Sequence, residues 1–145
     1  MEPITELAEE IQQERHFKYP SLLTRVQSIF ADGILVLLAM FLAAWIIDHF
    51  EATPDWIRGV LFIGLWAVYE PLAVTFGCTF GNYLMGIRVR KFSNEQKRIN
   101  IIQAYARFVI KMFLGWLSFL TIQFDPQRRA IHDIVSGSVV IRATK

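Results

Sequence analysis

Two carboxylates stand inside long apolar runs of this chain: Asp32 within IFADGILVLLAMFLAAWII (residues 29–47) and Glu70 within WIRGVLFIGLWAVYEPLAVTF (residues 56–76). A charge at that depth costs at least about 2.5–3.5 kcal/mol on insertion scales, so each must be paired, protonated or used. Two neighbouring buried carboxylates resist ionising together, a property suited to exchanging a proton for a cation. Asp32 and Glu70 are therefore the candidate ion- or proton-binding residues. The structural alternative is that they bond Arg107, Arg25 or a Ser/Thr hydroxyl and simply join helices.

A second set, Arg25, Arg107 and Asp133, forms the candidate charge network. Arg25 and Asp32 are seven residues apart and share a helical face. About 10.5 Å of rise separates them, too far for a relaxed pair. Arg25 is better placed for Asp133 if the tail folds back, which leaves Arg107 as the partner expected for Asp32. Gln103, Arg107 and Lys111 recur every four residues and form one polar stripe on an otherwise apolar helix.

Other chemistries find little support in the residues. His132-Asp133 has no second ligand cluster, so no metal site is expected. The glycines of residues 77–86 lack the order of a phosphate-binding loop and follow an apolar helix instead of a strand. The lone Cys78 cannot form an internal disulfide. Three His and one Cys in these contexts assemble no nucleophile, base and orienter. Neither an enzyme, nor a cofactor, nor a nucleic-acid footprint is expected.

The elements that must position these residues follow from composition. The 145 residues are 54% hydrophobic and 19% charged, with 12 Phe and 4 Trp, more apolar and less charged than a water-soluble domain. Spans are read at about residues 22–47 and 56–76, each roughly 20 residues or more and long enough to cross a hydrocarbon layer of about 30 Å. On that geometry Asp32 lies about 15 Å deep and Glu70 about 9 Å from one face, so one cavity could hold both. Pro71 predicts a kink beside Glu70. A third hydrophobic region, residues 101–124, is interrupted by its polar stripe and by Gly115. Residues 77–100 read as a polar loop with a small β-hairpin around Ser93-Asn94-Glu95.

Residues 1–18 lack the layout of a secretory signal and are expected to be retained as a cytoplasmic segment. Within it Ile4, Leu7 and Ile11 fall at the spacing of an amphipathic helix. Residues 19–145 form the membrane domain. The link between the spans carries Asp48, Glu51 and Asp55 and no cation. If residues 101–124 enter and return, breaking near Gly115, twelve of the fifteen Lys and Arg lie on one side, the cytoplasmic one. That is the favoured topology over a full third crossing. The expectation is an all-α membrane protein with two transmembrane helices, a third re-entrant or spanning region and a small cytoplasmic β-hairpin.

Four ordered blocks resemble the RDD family of small bacterial membrane proteins, named for one arginine and two aspartates. Arg25 and Asp32 match its first helix. Gly77-Cys78-Thr79-Phe80-Gly81-Asn82, leading to Gly86-Ile87-Arg88-Val89, is similar to its Gly-x-Thr-x-Gly-Lys segment, with Asn82 where the lysine usually stands. Gln103-Ala104-Tyr105-Ala106-Arg107 resembles its later arginine-bearing helix. His132-Asp133 followed by Gly137-Ser138-Val139-Val140 resembles its closing motif, with Ser138 for the usual threonine. The resemblance implies a multi-pass protein of the bacterial inner membrane, and a transport role, including cation/proton antiport, has been proposed for the family. Two readings follow: a small-ion transporter or antiporter subunit, necessarily a homo-oligomer because two helices and a hairpin cannot enclose a path, or a membrane scaffold that docks protein partners.

Overall fold

A computed structural model describes residues 2–50 and 53–143, without the side chains of residues 2, 3 and 15–17. Glu51 and, among the twelve cations counted on one side, Lys145 and the side chain of Arg15 lie outside the described residues. In chain order the elements are α1 (Glu2–Lys18), α2 (Leu22–Asp48), α3 (Asp55–Phe76), α4 (Phe80–Leu84), β1 (Ile87–Lys91), α5 (Ile101–Leu114), a 3₁₀ helix (Gly115–Gln123), α6 (Ile131–Ser136) and β2 (Ser138–Arg142).

Local chemistry explains the boundaries of the long helices. The Ser21 hydroxyl caps α2 by accepting from Thr24 N at 3.3 Å, satisfying one of the free amides of a helix start. Extended Pro54 precedes α3. Helix α3 runs without interruption from Asp55 to Phe76 through Pro71. Both helices turn apolar side chains outward, with Phe41, Trp45 and Ile63 all more than half exposed, the arrangement that suits a lipid surround. Three helical stretches, Leu22–Asp48, Asp55–Phe76 and Ile101–Gln123, are long and apolar enough to cross a membrane.

The third of these turns back. Asn100 and Gln103 form a reciprocal capping box that starts α5. Gly115, at φ +53°, ends it in a left-handed conformation that glycine adopts without strain. At about 1.5 Å per α-helical and about 2.0 Å per 3₁₀ residue, a straight run would place Gln123 roughly 37 Å from Ile101. Instead both ends lie beside the start of α2. Ile122, Gln123 and Arg128 share a cleft with Ser21 and Leu22, while Gln103 Nε2 donates to Ser136 O at 3.0 Å. Arg25, in the first turn of α2, bonds Asp133 of α6. Residues 101–123 are therefore a hairpin that enters and leaves at one end of the bundle.

That end is closed by a small sheet. Strand β1 pairs antiparallel with β2, Val89 opposite Val140. The expected local hairpin is corrected in its connectivity: the partner of β1 is the C-terminal strand, with Val140, opposite Val89, 51 residues further along the chain. Residues 92–100 (FSNEQKRIN) are too polar to supply a second strand with a buried face, whereas Val139 and Val140 supply one. Ile87, Val89, Val140, Ile99, Ala104 and Val74 form the core beneath the sheet. The stretch read as a polar loop also holds α4, capped by the Thr79 hydroxyl, which accepts from Asn82 N at 3.2 Å. Helix α4 lies so close to α2 that a Cβ on Gly81 would sit 1.9 Å from Ser28 O; only glycine fits there.

Helix α1 forms as the spacing predicts, with Ile4, Leu7 and Ile11 exposed. It is tied to the sheet end by Lys18 Nζ to Glu95 at 2.8 Å and, one residue beyond, by Tyr19 OH donating to Glu95 at 3.2 Å. The fold predicts that a labelling tag at Lys145 reacts from the same side of the membrane as a tag at Met1, and a tag beside Pro54 from the opposite side; Lys145 and Pro54 tags reacting from one side would refute the returning hairpin.

Candidate functional site

The site is built around α6, a helix of two turns delivered by the returning hairpin. Its third residue, Asp133, accepts from Ala130 N at 3.1 Å and so closes the first turn. The same carboxylate takes Arg25 Nη1 on Oδ2 and Arg107 Nη1 on Oδ1. Asp133 is fully buried, and the two guanidinium groups are nearly so. Arg25 also donates Nη2 to Arg128 O at 2.5 Å. One carboxylate thus joins α2, α5 and the tail. Burial by itself would raise the Asp133 pKa; Arg107 and Arg25 outweigh it and hold the carboxyl well below the usual carboxylate range.

Beside it, His132 Nδ1 lies 3.0 Å from Ser118 Oγ and its ring meets the Phe119 ring at 5.3 Å, edge to face. Burial pushes the imidazole down to about 3; the Asp133 charge opposes that fall, and the charges of Arg107, Lys111 and Arg25 reinforce it. His132 is a neutral wedge between the 3₁₀ helix and α6.

The polar stripe of α5 reads three partners in order. Gln103 holds Ser136 O, Arg107 holds Asp133, and Lys111 holds Glu70. Glu70 and Lys111 are both about one-fifth exposed, in contrast to the sealed Asp133. Among the described residues Asp32 receives neutral donors only: Tyr69 OH at 2.9 Å and Gly81 N at 2.7 Å, both on Oδ1. Tyr69 OH in turn accepts from Phe80 N at 2.9 Å.

The network expected from Arg25, Arg107 and Asp133 is present, and the Arg25 to Asp133 clasp is formed. The Arg107 to Asp32 pairing is corrected. Because α6 is inserted beside α5, Asp133 lies within reach of both arginines, while the start of α4 brings a backbone amide to Asp32. Lys111, Tyr69, Gly81 and His132 were not singled out as site residues by sequence reasoning. Lys111 carried a usable signal, since it continues the stripe of Gln103 and Arg107. For Tyr69 and Gly81 the pattern held none, because their contacts depend on how α4 docks.

Asp32 and Glu70 do share a cavity. They line a chamber of about 30 Å³ with Arg25, Arg107, Lys111 and His132, room for a water. With Lys111 they also line a space of about 540 Å³ among α2, α3 and α5. Three carboxylates and three basic side chains, with a neutral His132, make the cluster balanced in charge. Asn82, where a lysine would have added a cation, is buried and accepts from Ser28 Oγ at 2.8 Å. Among the described residues no group of three or more His, Cys, Asp or Glu is placed to hold a metal ion.

Apolar helices around a sealed charge network, with a hairpin that returns to its own side, define a small helical membrane protein. The chain belongs to the RDD family, whose family model matches residues 19–137, leaving α1 ahead of the match. No curated protein and no solved structure gives a significant match.

Asp133→Asn leaves two buried guanidinium groups short of a countercharge and is expected to destabilise the protein by about 3–5 kcal/mol, read as a lowered thermal midpoint in detergent. The pH dependence has a defined sign. His132 has a folded pKa of about 3 against an ordinary value of 6.5, so the unfolded chain binds the proton first. The contribution of His132 is complete above about pH 6.5 and declines as pH falls toward about 3, by about 1.4 kcal/mol per pH unit. His132→Gln is expected to reduce the slope of thermal midpoint against pH between about 6 and 4; an unchanged slope would show that the imidazole is not held neutral.

Proposed function

We propose that the protein is a subunit of a cation/proton exchanger in the inner membrane of a bacterium, with its N-terminus in the cytoplasm. Asp32 is the exchanging carboxylate and Glu70 assists it. The observation that carries this reading is that both line the same intramembrane cavity, at a place where α5 contributes Lys111 as a built-in cation. Asp133, sealed between two arginines, belongs to the scaffold of the site. Orientation is supported by Lys18, Arg25, Arg88, Arg90, Lys91, Lys97 and Arg98 clustering toward the sheet end, against the acidic Asp48 and Asp55 at the other. Two spans and a hairpin leave broad apolar flanks, so the working unit is a homo-oligomer within the lipid bilayer.

Exchange at such a site needs no catalytic nucleophile, cofactor or metal centre, and the protein is read as a transporter subunit and not an enzyme. The other reading, a scaffold docking protein partners, draws on α1, whose apolar side is left exposed. Reconstitution separates the two. In proteoliposomes under an imposed pH gradient, wild-type protein is expected to move a cation against protons, and Asp32→Asn is expected to reduce the flux to that of empty vesicles. Flux unchanged by Asp32→Asn would sink the exchange reading. Absence of flux from folded wild-type protein with any cation tried would favour the scaffold.

A further inference from the structure

The larger cavity has a wall unlike that of a metal-ion site. Of its charged residues, Glu70 is already neutralised by Lys111. Asp32 is different: both of its hydrogen bonds fall on Oδ1, its Oδ2 carries none, and among the described residues no basic side chain lies within ion-pair distance of it. Asp32 lines the larger cavity, whose wall is otherwise mostly apolar, with Met40, Trp66, Phe108 and Met112 contributing.

A hydrated metal ion entering here would lose water ligands that the wall does not replace. Hard cations of the calcium kind take about six or more oxygen ligands, and the cavity offers two carboxylates and one phenol. An organic cation with an apolar body has little hydration to lose and gains by burying apolar surface. Trp66 and Phe108 stand edge to face with centroids 5.5 Å apart, and aromatic faces attract such cations. The two methionines make a wall that adapts to bodies of different shape.

We infer that the cavity among α2, α3 and α5 binds a lipophilic organic monocation, its charge at Asp32 Oδ2 and its body against Trp66 and Phe108. This names the substrate class of the exchange site proposed above and rests on that reading for transport, though not for binding.

The test uses tetraphenylphosphonium and the full chain in detergent micelles, with equilibrium dialysis against protein-free micelles. Saturable binding is expected, and Asp32→Asn should weaken it about tenfold or more, the equivalent of one desolvated charge contact. Gly33 lines the cavity, and a Cβ added there meets nothing within 4 Å. Gly33→Leu should therefore fold, fill the space and weaken binding with Asp32 intact, a check that survives if Asp32→Asn does not fold. Tetraphenylborate, of the same shape and opposite charge, should not bind. Undiminished binding to both variants, equal binding of the borate, or no saturable phosphonium binding by folded wild-type protein would each overturn the inference. Phosphonium binding without proton-coupled flux would keep the site and remove the exchanger reading; metal-cation flux without phosphonium binding would do the reverse.

Discussion

The structure depends on one buried anion. Asp133 satisfies Arg25 from α2, Arg107 from α5 and the amide of Ala130, just ahead of its own helix, so a single carboxylate fixes the relation of three parts of the chain far apart in sequence. None of the three charged groups is tolerable at that burial alone, and removing Asp133 would leave both guanidinium groups without a countercharge. The clasp forms only if the chain after α5 comes back to the start of α2. That requirement explains the glycine at the tip of the hairpin, the 3₁₀ return and the tail strand that seals the end of the bundle.

With Asp133 tied, the remaining carboxylates have different freedoms. Glu70 shares Lys111 in a partly open position, and Asp32 keeps one oxygen unbonded beside an apolar cavity. The gradient from sealed to open runs along the polar stripe of α5, which supplies Arg107 to the first and Lys111 to the second. In the exchange proposed above, a residue that changes partners cannot also be the one that holds the helices together. Here the holding is done at Asp133, which leaves Asp32 and Glu70 available.

Helix α4 completes the arrangement by a contact that few residues allow. Gly81 brings the backbone of α4 against Ser28, and from there its amide reaches Asp32. Asn82 bonds the same serine. A neutral amide at this position joins α4 to α2 without adding a fourth cation to a cluster whose charges already balance.

Apolar run length and charge position were enough to read two spans, the buried carboxylates and a third apolar stretch interrupted at Gly115, because the bilayer constrains hydropathy, depth and charge one residue at a time. The stripe of Gln103, Arg107 and Lys111 was legible for the same reason, as a helix repeats its face whatever it packs against. The pairing of Arg25 with Asp133 was legible, but the acid that Arg107 would meet was not. Arg107 reaches Asp133 and not Asp32, because that choice rests on where the returning hairpin and α4 dock. Docking is decided by close packing among non-adjacent elements, at Gly81 against Ser28 and Val89 against Val140, and linear spacing holds no measure of that.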